Sequence, residues 1–209
     1  MIIVITGGSS SGKSAVAEDI MNKLEPGKKL YIATMQISDT DEDGKKRIEK
    51  HRERRKGSNY ITIEKGKNMQ EIGGDVAGGE QAGTSAEFTG GERAGAEDQG
   101  AGGAGGGRAD GEGKSALLEC ISNLTANVMF SERVLSSDET VLEVISEVKD
   151  LSAKMDNLVI VTNNVFDDID NYDDMTSSYV KALGEINQEL VRMADEAYEV
   201  VVGIPVRIK

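Results

Sequence analysis

The sequence predicts an α/β fold, a mostly parallel sheet with helices on both faces. Three observations predict it. An apolar run, Ile2 to Thr6, breaks into a glycine-rich turn and then into a helical pattern. Short apolar strands alternate with helices along the chain, which implies right-handed crossovers and a sheet covered on both sides. The strands end in Thr34, Glu64, Glu119 and Asn163, residues suited to chemistry, and open α/β sheets hold ligands at that carboxyl rim.

The turn after the first strand reads Gly7-Gly8-Ser9-Ser10-Ser11-Gly12-Lys13-Ser14. This is G-x-x-x-x-G-K-[ST] with a strand before it and a helix after it, the context the pattern requires. A phosphate chain needs several N–H groups pointing inward, and side chains at Gly7, Gly8 or Gly12 would obstruct that approach. The helix that begins near Lys13 adds its positive end. Lys13 brings a mobile cation to the β/γ-phosphates, and Ser14 Oγ suits a magnesium ion. A strand–turn–helix merely rich in Gly and Ser is the bland alternative, and the placement favours a phosphate loop. The expected fold is therefore a P-loop NTPase-type three-layer domain, and the expected ligand a nucleotide.

The remaining elements follow in order. Ala15, Val16, Ile20 and Leu24 mark a helix over 13–24 that Pro26-Gly27 ends. Leu30 to Ala33 reads as the second strand, followed by an acidic turn over 39–43. Residues 44–56 form a charged helix. From Lys45 to Lys56 it holds eight Lys/Arg against two Glu, and Ile48 is its one apolar residue, so it cannot be core. Tyr60 to Glu64 alternates as a third strand. Sixteen of the 41 residues in 73–113 are Gly, and the segment carries eight acids against two arginines. Such a stretch buries too little apolar surface to offset its ordering entropy, so it is expected to be a disordered insertion within one domain spanning 1–209. Ser115 to Cys120 is a fourth strand with Glu119 near its end, and Leu124, Val128 and Met129 mark a short helix behind it. An amphipathic helix covers 139–155, a fifth strand 157–162 and the longest helix 175–197. Tyr198 to Val202 and Ile204 to Ile208 complete the sheet.

Composition excludes several classes. The net charge of −13 argues against a general nucleic-acid binder or an anionic-membrane binder. Cys120 is the single cysteine, so no intrachain disulfide is possible and a reducing compartment is expected. No apolar run reaches membrane-spanning length, and the N-terminal run has no basic region before it, so it does not read as a signal peptide. A cytoplasmic protein is the expectation.

Two residues outside the loop suit chemistry. Glu119 closes an apolar strand where P-loop proteins keep an acid that organises metal or water. The bland reading is a solvated strand-end carboxylate. Cys120 beside it reads as a small buried residue rather than a nucleophile. His51 is the chain's one histidine, and a solitary histidine on a polar helix is usually plain surface. Helical spacing sets Arg47, Arg54 and Arg55 on its face, where guanidinium groups disfavour a protonated ring and keep a nitrogen free to act as nucleophile. The same arginines could hold a triphosphate, or a solvated basic face could dock an acidic partner.

Beyond these motifs the chain resembles a known family, the bifunctional adenosylcobinamide kinase / adenosylcobinamide-phosphate guanylyltransferases of cobalamin biosynthesis. The matching pieces are TGGSSSGKS (6–14), LYIAT (30–34), RIEKHRERR (47–55), LLEC with Asn127, VTN (161–163), GEINQEL (184–190) and the C-terminal ADEAYEVVVGIPVRIK. The 73–113 insertion is outside the resemblance. The resemblance implies that His51 carries GMP covalently, with ATP or GTP as phosphoryl donor and GTP as guanylyl donor. It implies that Gly7, Gly8, Ser9, Ser10, Ser11, Gly12, Lys13 and Ser14 hold the triphosphate, with Lys13 acting in catalysis. It implies that Ala33, Thr34, Met35, Arg52, Glu53, Arg54, Arg55, Glu64 and Glu119 line the nucleotide site. Ser14 and Glu119 would organise Mg²⁺, the acceptor would be the corrinoid adenosylcobinamide, and the assembly a homotrimer. Two stretches depart from the family: Asn163-Asn164-Val165-Phe166 replaces N-E-V-G, and Met175 to Lys181 replaces an arginine-rich L-A-R-x-F-R-D. A guanylyltransferase without the kinase half, a plain small-molecule kinase and a non-catalytic nucleotide sensor stand as alternatives.

Overall fold

The computed structural model describes residues 1–25, 27–36, 42–72, 114–164 and 172–209. The 73–113 stretch and most of the 39–43 turn lie outside the described residues, as do Val165 and Phe166. Seven strands form one sheet in the order β3-β2-β4-β5-β1-β6-β7. They are β1 (Ile2–Thr6), β2 (Lys29–Ala33), β3 (Tyr60–Glu64), β4 (Ser115–Glu119), β5 (Asn157–Val161), β6 (Glu196–Val201) and β7 (Ile204–Arg207). Every pairing is parallel except β6 with β7, which form an antiparallel hairpin. The helices are α1 (Lys13–Leu24), α2 (Glu42–Arg54), α3 (Ile121–Met129), α4 (Ser137–Ser152) and α5 (Asp174–Met193). The P-loop-type α/β architecture is thus as the alternation of elements requires.

The central strands are apolar on both sides because both sides are covered. Ile3 and Ile5 join a cluster with Ala17 and Met21 of α1. Val4, one residue out of phase, joins the opposite cluster with Leu124, Val148 and Ile186 of α3, α4 and α5. Leu183, Ile186 and Leu190 of α5 are fully buried, each contributing roughly 1.5–3 kcal/mol relative to exposure.

Helix boundaries differ from the sequence reading at α2, expected over 44–56, at α4, expected over 139–155, and most tellingly at α5. The apolar spacing over 175–197 runs through Ala197, yet α5 stops at Met193 and Ala197 lies in β6. Ala194 adopts an extended backbone, and the Asp195 carboxylate accepts from the Ile2 N–H at 2.6 Å. A hydrogen bond to the far end of the chain ends the helix, which local spacing cannot register.

α4 begins with a capping box. Ser136 Oγ accepts from the Glu139 N–H, and the Glu139 carboxylate accepts from the Ser136 N–H. The Ser136 backbone N–H, the Ser136 hydroxyl and Arg133 together hold the Glu139 carboxyl down at about 2. Because that carboxyl is depressed, its contribution is present above the ordinary carboxylate range and is lost as pH falls toward 2. Ser136→Ala is expected to lower stability by about 1 kcal/mol in neutral urea denaturation. Glu139→Gln is expected to flatten the decline in stability between pH 4.5 and 2. An unchanged acid limb would show that the box contributes nothing there.

Candidate nucleotide site at the carboxyl rim

The loop between β1 and α1 is shaped by its contact with the β6–β7 hairpin. Gly7 has φ +150°, and a Cβ there would come within 2.6 Å of the Val200 carbonyl oxygen. Gly12 has φ +98° and faces Gly203 Cα at 3.2 Å from an added Cβ. The Gly203 N–H donates to the Ser11 carbonyl at 2.7 Å. The loop therefore has backbone packed directly on backbone, which side chains at these positions would prevent. Lys13 opens α1, is nearly buried, and donates from Nζ to the Gly8 carbonyl at 2.5 Å. Burial lowers its ammonium from the ordinary lysine range, with Cys120 and Glu119 acting in the opposite direction.

Glu119, at the end of β4, gathers three groups. Ser14 Oγ donates to its Oε1. The Tyr31 hydroxyl donates to its Oε2 at 2.7 Å. His51 Nδ1 stands 3.8 Å from Oε1. Tyr31 is buried, and desolvation followed by the Glu119 charge pushes its phenol far up, so it acts as a hydrogen-bond donor. The Arg55 guanidinium lies over the Tyr31 ring, 3.4 Å from its centroid. Among the described residues, Arg55 Nη1 and Ser11 Oγ are buried and find no hydrogen-bond partner. Orphaned donors of this kind suit an anionic ligand.

These groups line one cleft of about 570 Å³, a size suited to a nucleotide. Ser9, Ser10, Ser11, Gly12, Lys13 and Ser14 line it, as do Ala33, Met35 and Glu64 from the strand ends. α2 contributes Ile48, His51 and Arg52, and Arg55 follows just beyond its end, a stripe at helical spacing. The polar helix was expected to present His51 with Arg47, Arg54 and Arg55. Arg55 lies instead in the turn after α2, buried on Tyr31, while the Arg47 and Arg54 side chains lie outside the described residues. Some expected ligands turn elsewhere. Glu53 pairs with Lys56. The Thr34 hydroxyl donates to the Cys120 carbonyl at 2.8 Å and accepts from the Cys120 N–H at 2.8 Å. Arg52 pairs with Glu64 with both side chains 60% exposed, a pairing that contributes little to stability. Burial pushes the Cys120 thiol up, consistent with a packed rather than reactive cysteine.

The chain matches the family model for cobinamide kinase / cobinamide phosphate guanyltransferase over residues 3–82 and 106–208. The chain belongs to this family. It is 28% identical over 225 residues to the bifunctional adenosylcobalamin biosynthesis protein CobU of Escherichia coli strain K12, covering 100% of both chains. To the protein of the same name from Salmonella typhimurium strain LT2 it is 27% identical over 225 residues, again covering 100% of both. Among solved structures, an ATPase domain aligns at a TM-score of 0.46 and 9% identity, covering 95% of this chain and 68% of that one, too remote to inform function.

Several family motifs act as struts around the cleft. Asn127 of α3 donates to the Thr34 carbonyl at 2.8 Å and to the Gly66 carbonyl at 2.9 Å, tying together the chain after β2 and after β3. Asn187 of α5 accepts from Thr162 at 2.6 Å and donates to the Asn163 carbonyl at 3.1 Å, supporting the chain after β5. Asn163 in turn donates to Ser122 Oγ at 2.6 Å. The sequence signal for Asn187 is a carboxamide next to the apolar stripe Leu183, Ile186 and Leu190. Tyr31 gave no such signal, since an aromatic in a buried strand reads as core.

Proposed function

We propose that this cobinamide kinase / cobinamide phosphate guanyltransferase family member phosphorylates adenosylcobinamide and then transfers GMP to the product through His51. The observation that carries the reading is the shared cleft, in which the one histidine stands beside the phosphate loop and 3.8 Å from Glu119. In the kinase half, Lys13 and the loop N–H groups hold the triphosphate of ATP or GTP while its γ-phosphoryl passes to the substrate hydroxyl, the P–O bond to the β-phosphate breaking to leave the nucleoside diphosphate and the hydroxyl proton passing to solvent. In the transferase half, a ring nitrogen of His51 bonds to the α-phosphorus of GTP as the bond to pyrophosphate breaks, giving a phosphoramidate. An oxygen of the corrinoid phosphate then forms the new P–O bond, and the P–N bond breaks to free His51 and release adenosylcobinamide-GDP.

The Ser14 hydroxyl and Glu119 carboxylate are hard oxygen donors already in contact, a set that fits Mg²⁺. A magnesium ion there would neutralise charge on the phosphate oxygens. Arg55, held flat against Tyr31, offers a phosphate group its Nη1, which has no hydrogen-bond partner among the described residues. The reading includes one catalytic domain over 1–209, a cytoplasmic setting and a homotrimer. Among the described residues no helix is long and apolar enough to cross a membrane.

Incubation with α-labelled GTP is expected to label the protein in an acid-labile, alkali-stable form. Supplying cobinamide with γ-labelled nucleotide is expected to move label to the corrinoid. Protein label without corrinoid phosphorylation would reduce the function to guanylyl transfer alone, the alternative raised by the replaced 175–181 stretch. Label on neither would leave a nucleotide binder.

A further inference from the structure

Resting on that reading, we propose that a ledge of exposed Phe130 and Met175 around half-buried Tyr179 seats the macrocycle of the corrinoid acceptor. The cleft is of a size for one nucleotide, so a macrocyclic acceptor must lie outside it and send in only its reactive arm. The question is which surface carries the ring.

Among the described residues, two sets of exposed apolar side chains connect by a hydrogen bond to residues that line the cleft. One is the β6–β7 hairpin with Val202 and Ile204, which meets the phosphate loop through Gly203 and Ser11 from the β6 side of β1. His51, the proposed nucleophile, stands on the other side with Ser14, where both meet Glu119 at the end of β4. An acceptor reaching the phosphates from that side passes Ser122 and Asn163, which line the cleft at the ends of β4 and β5.

The ledge begins there. The Tyr179 hydroxyl donates to the Ser122 carbonyl at 3.0 Å. Its ring stacks on Phe130, with centroids 6.5 Å apart and planes at 29°. Met175 lies one helical turn before Tyr179 on the same face of α5. The Ser137 hydroxyl donates to the Ser178 carbonyl at 2.9 Å, fixing the start of α4 to α5. Phe130 is the one phenylalanine among the described residues, yet it is 42% exposed, and Met175 is 53% exposed. Tyr179 has its hydroxyl committed to Ser122, so its ring is what it offers to a ligand. An aromatic pair edged by a polarizable thioether suits apolar contact with a large conjugated macrocycle. An apolar patch bordering a polar cleft marks a binding site.

The test measures cobinamide binding to the full-length protein by equilibrium dialysis, read from the corrinoid's visible absorbance. GTP affinity and labelling from α-labelled GTP are followed in parallel. Phe130→Ser and Met175→Ser are each expected to weaken cobinamide binding about tenfold, and the double variant at least about thirtyfold. GTP affinity and labelling stay at the wild-type level. Tyr179→Phe keeps the ring and is expected to bind within about threefold of wild type. Unchanged cobinamide binding in the single and double variants overturns the ledge and leaves the enzymatic reading standing. Changed light-scattering mass with unchanged cobinamide binding makes the surface a subunit contact and also overturns it. If Phe130→Ser loses GTP binding as well, Met175→Ser decides alone, and unchanged cobinamide binding there overturns the proposal. A wild-type protein that binds GTP but never cobinamide overturns the functional reading itself.

Discussion

His51→Ala is expected to abolish the acid-labile label from α-labelled GTP and to lower guanylyl transfer by at least about a thousandfold. The size follows from chemistry. A phosphoramidate needs a nitrogen nucleophile, and His51 is the one imidazole in the chain, while the lysine that lines the cleft, Lys13, is held on the Gly8 carbonyl. Nucleotide affinity should change by less than about threefold, because the loop, Lys13 and Arg55 remain. Phosphorylation of cobinamide should also survive, since that step uses the phosphate loop and not the imidazole. The assay is parallel: protein label, corrinoid phosphorylation and GTP binding on one preparation. Retained label in His51→Ala would move the covalent step to another residue and remove the central role of this histidine. Equal loss of both activities would mean that His51 supports the cleft rather than carrying GMP.

Lys13→Ala is expected to reduce both activities, each by about a hundredfold or more. Lys13 is nearly buried at the start of α1, where burial lowers its ammonium and the Glu119 charge acts against that effect. A desolvated cation beside the phosphates contributes far more than an exposed one, because the local dielectric is low. Both half-reactions draw on the same seat, so both should fall together. That pattern separates Lys13 from His51, whose removal is expected to silence one half alone. Lys13→Arg should not restore activity, since a planar guanidinium does not reproduce a compact ammonium in that space. Loss of one half with the other intact would show that two separate nucleotide seats exist.

Much of the site was legible because its parts are contiguous. The loop from Gly7 to Ser14, the helix behind it and the charged segment around His51 each read from neighbouring residues alone. The acid at the end of β4 read from the rule that ligands gather at the carboxyl rim. The 73–113 segment read from composition and lies outside the described residues. Other features left no local trace. Helix periodicity ran past Met193 because what takes over there, hydrogen bonds between Asp195 and Ile2 and the pairing of β6 with β1, lies far away in sequence. Arg55 read as one of several arginines on a helix face, whereas it lies flat on Tyr31 beyond the helix end.

Local order in the chain specified a glycine-rich turn between a strand and a helix, an α/β sheet and a basic helix carrying one histidine, since each depends on spacing and side-chain shape over a few positions. The meeting of Ser14 with Glu119 spans 105 positions and that of Tyr31 with Glu119 spans 88. The Tyr31 contact exists because β2 and β4 lie side by side in register, with Ala33 opposite Glu119, and the Ser14 contact because α1 packs across β4 and β5. Strand order and register follow from burying both faces of the sheet at once, a condition on the whole fold that no short stretch of residues contains.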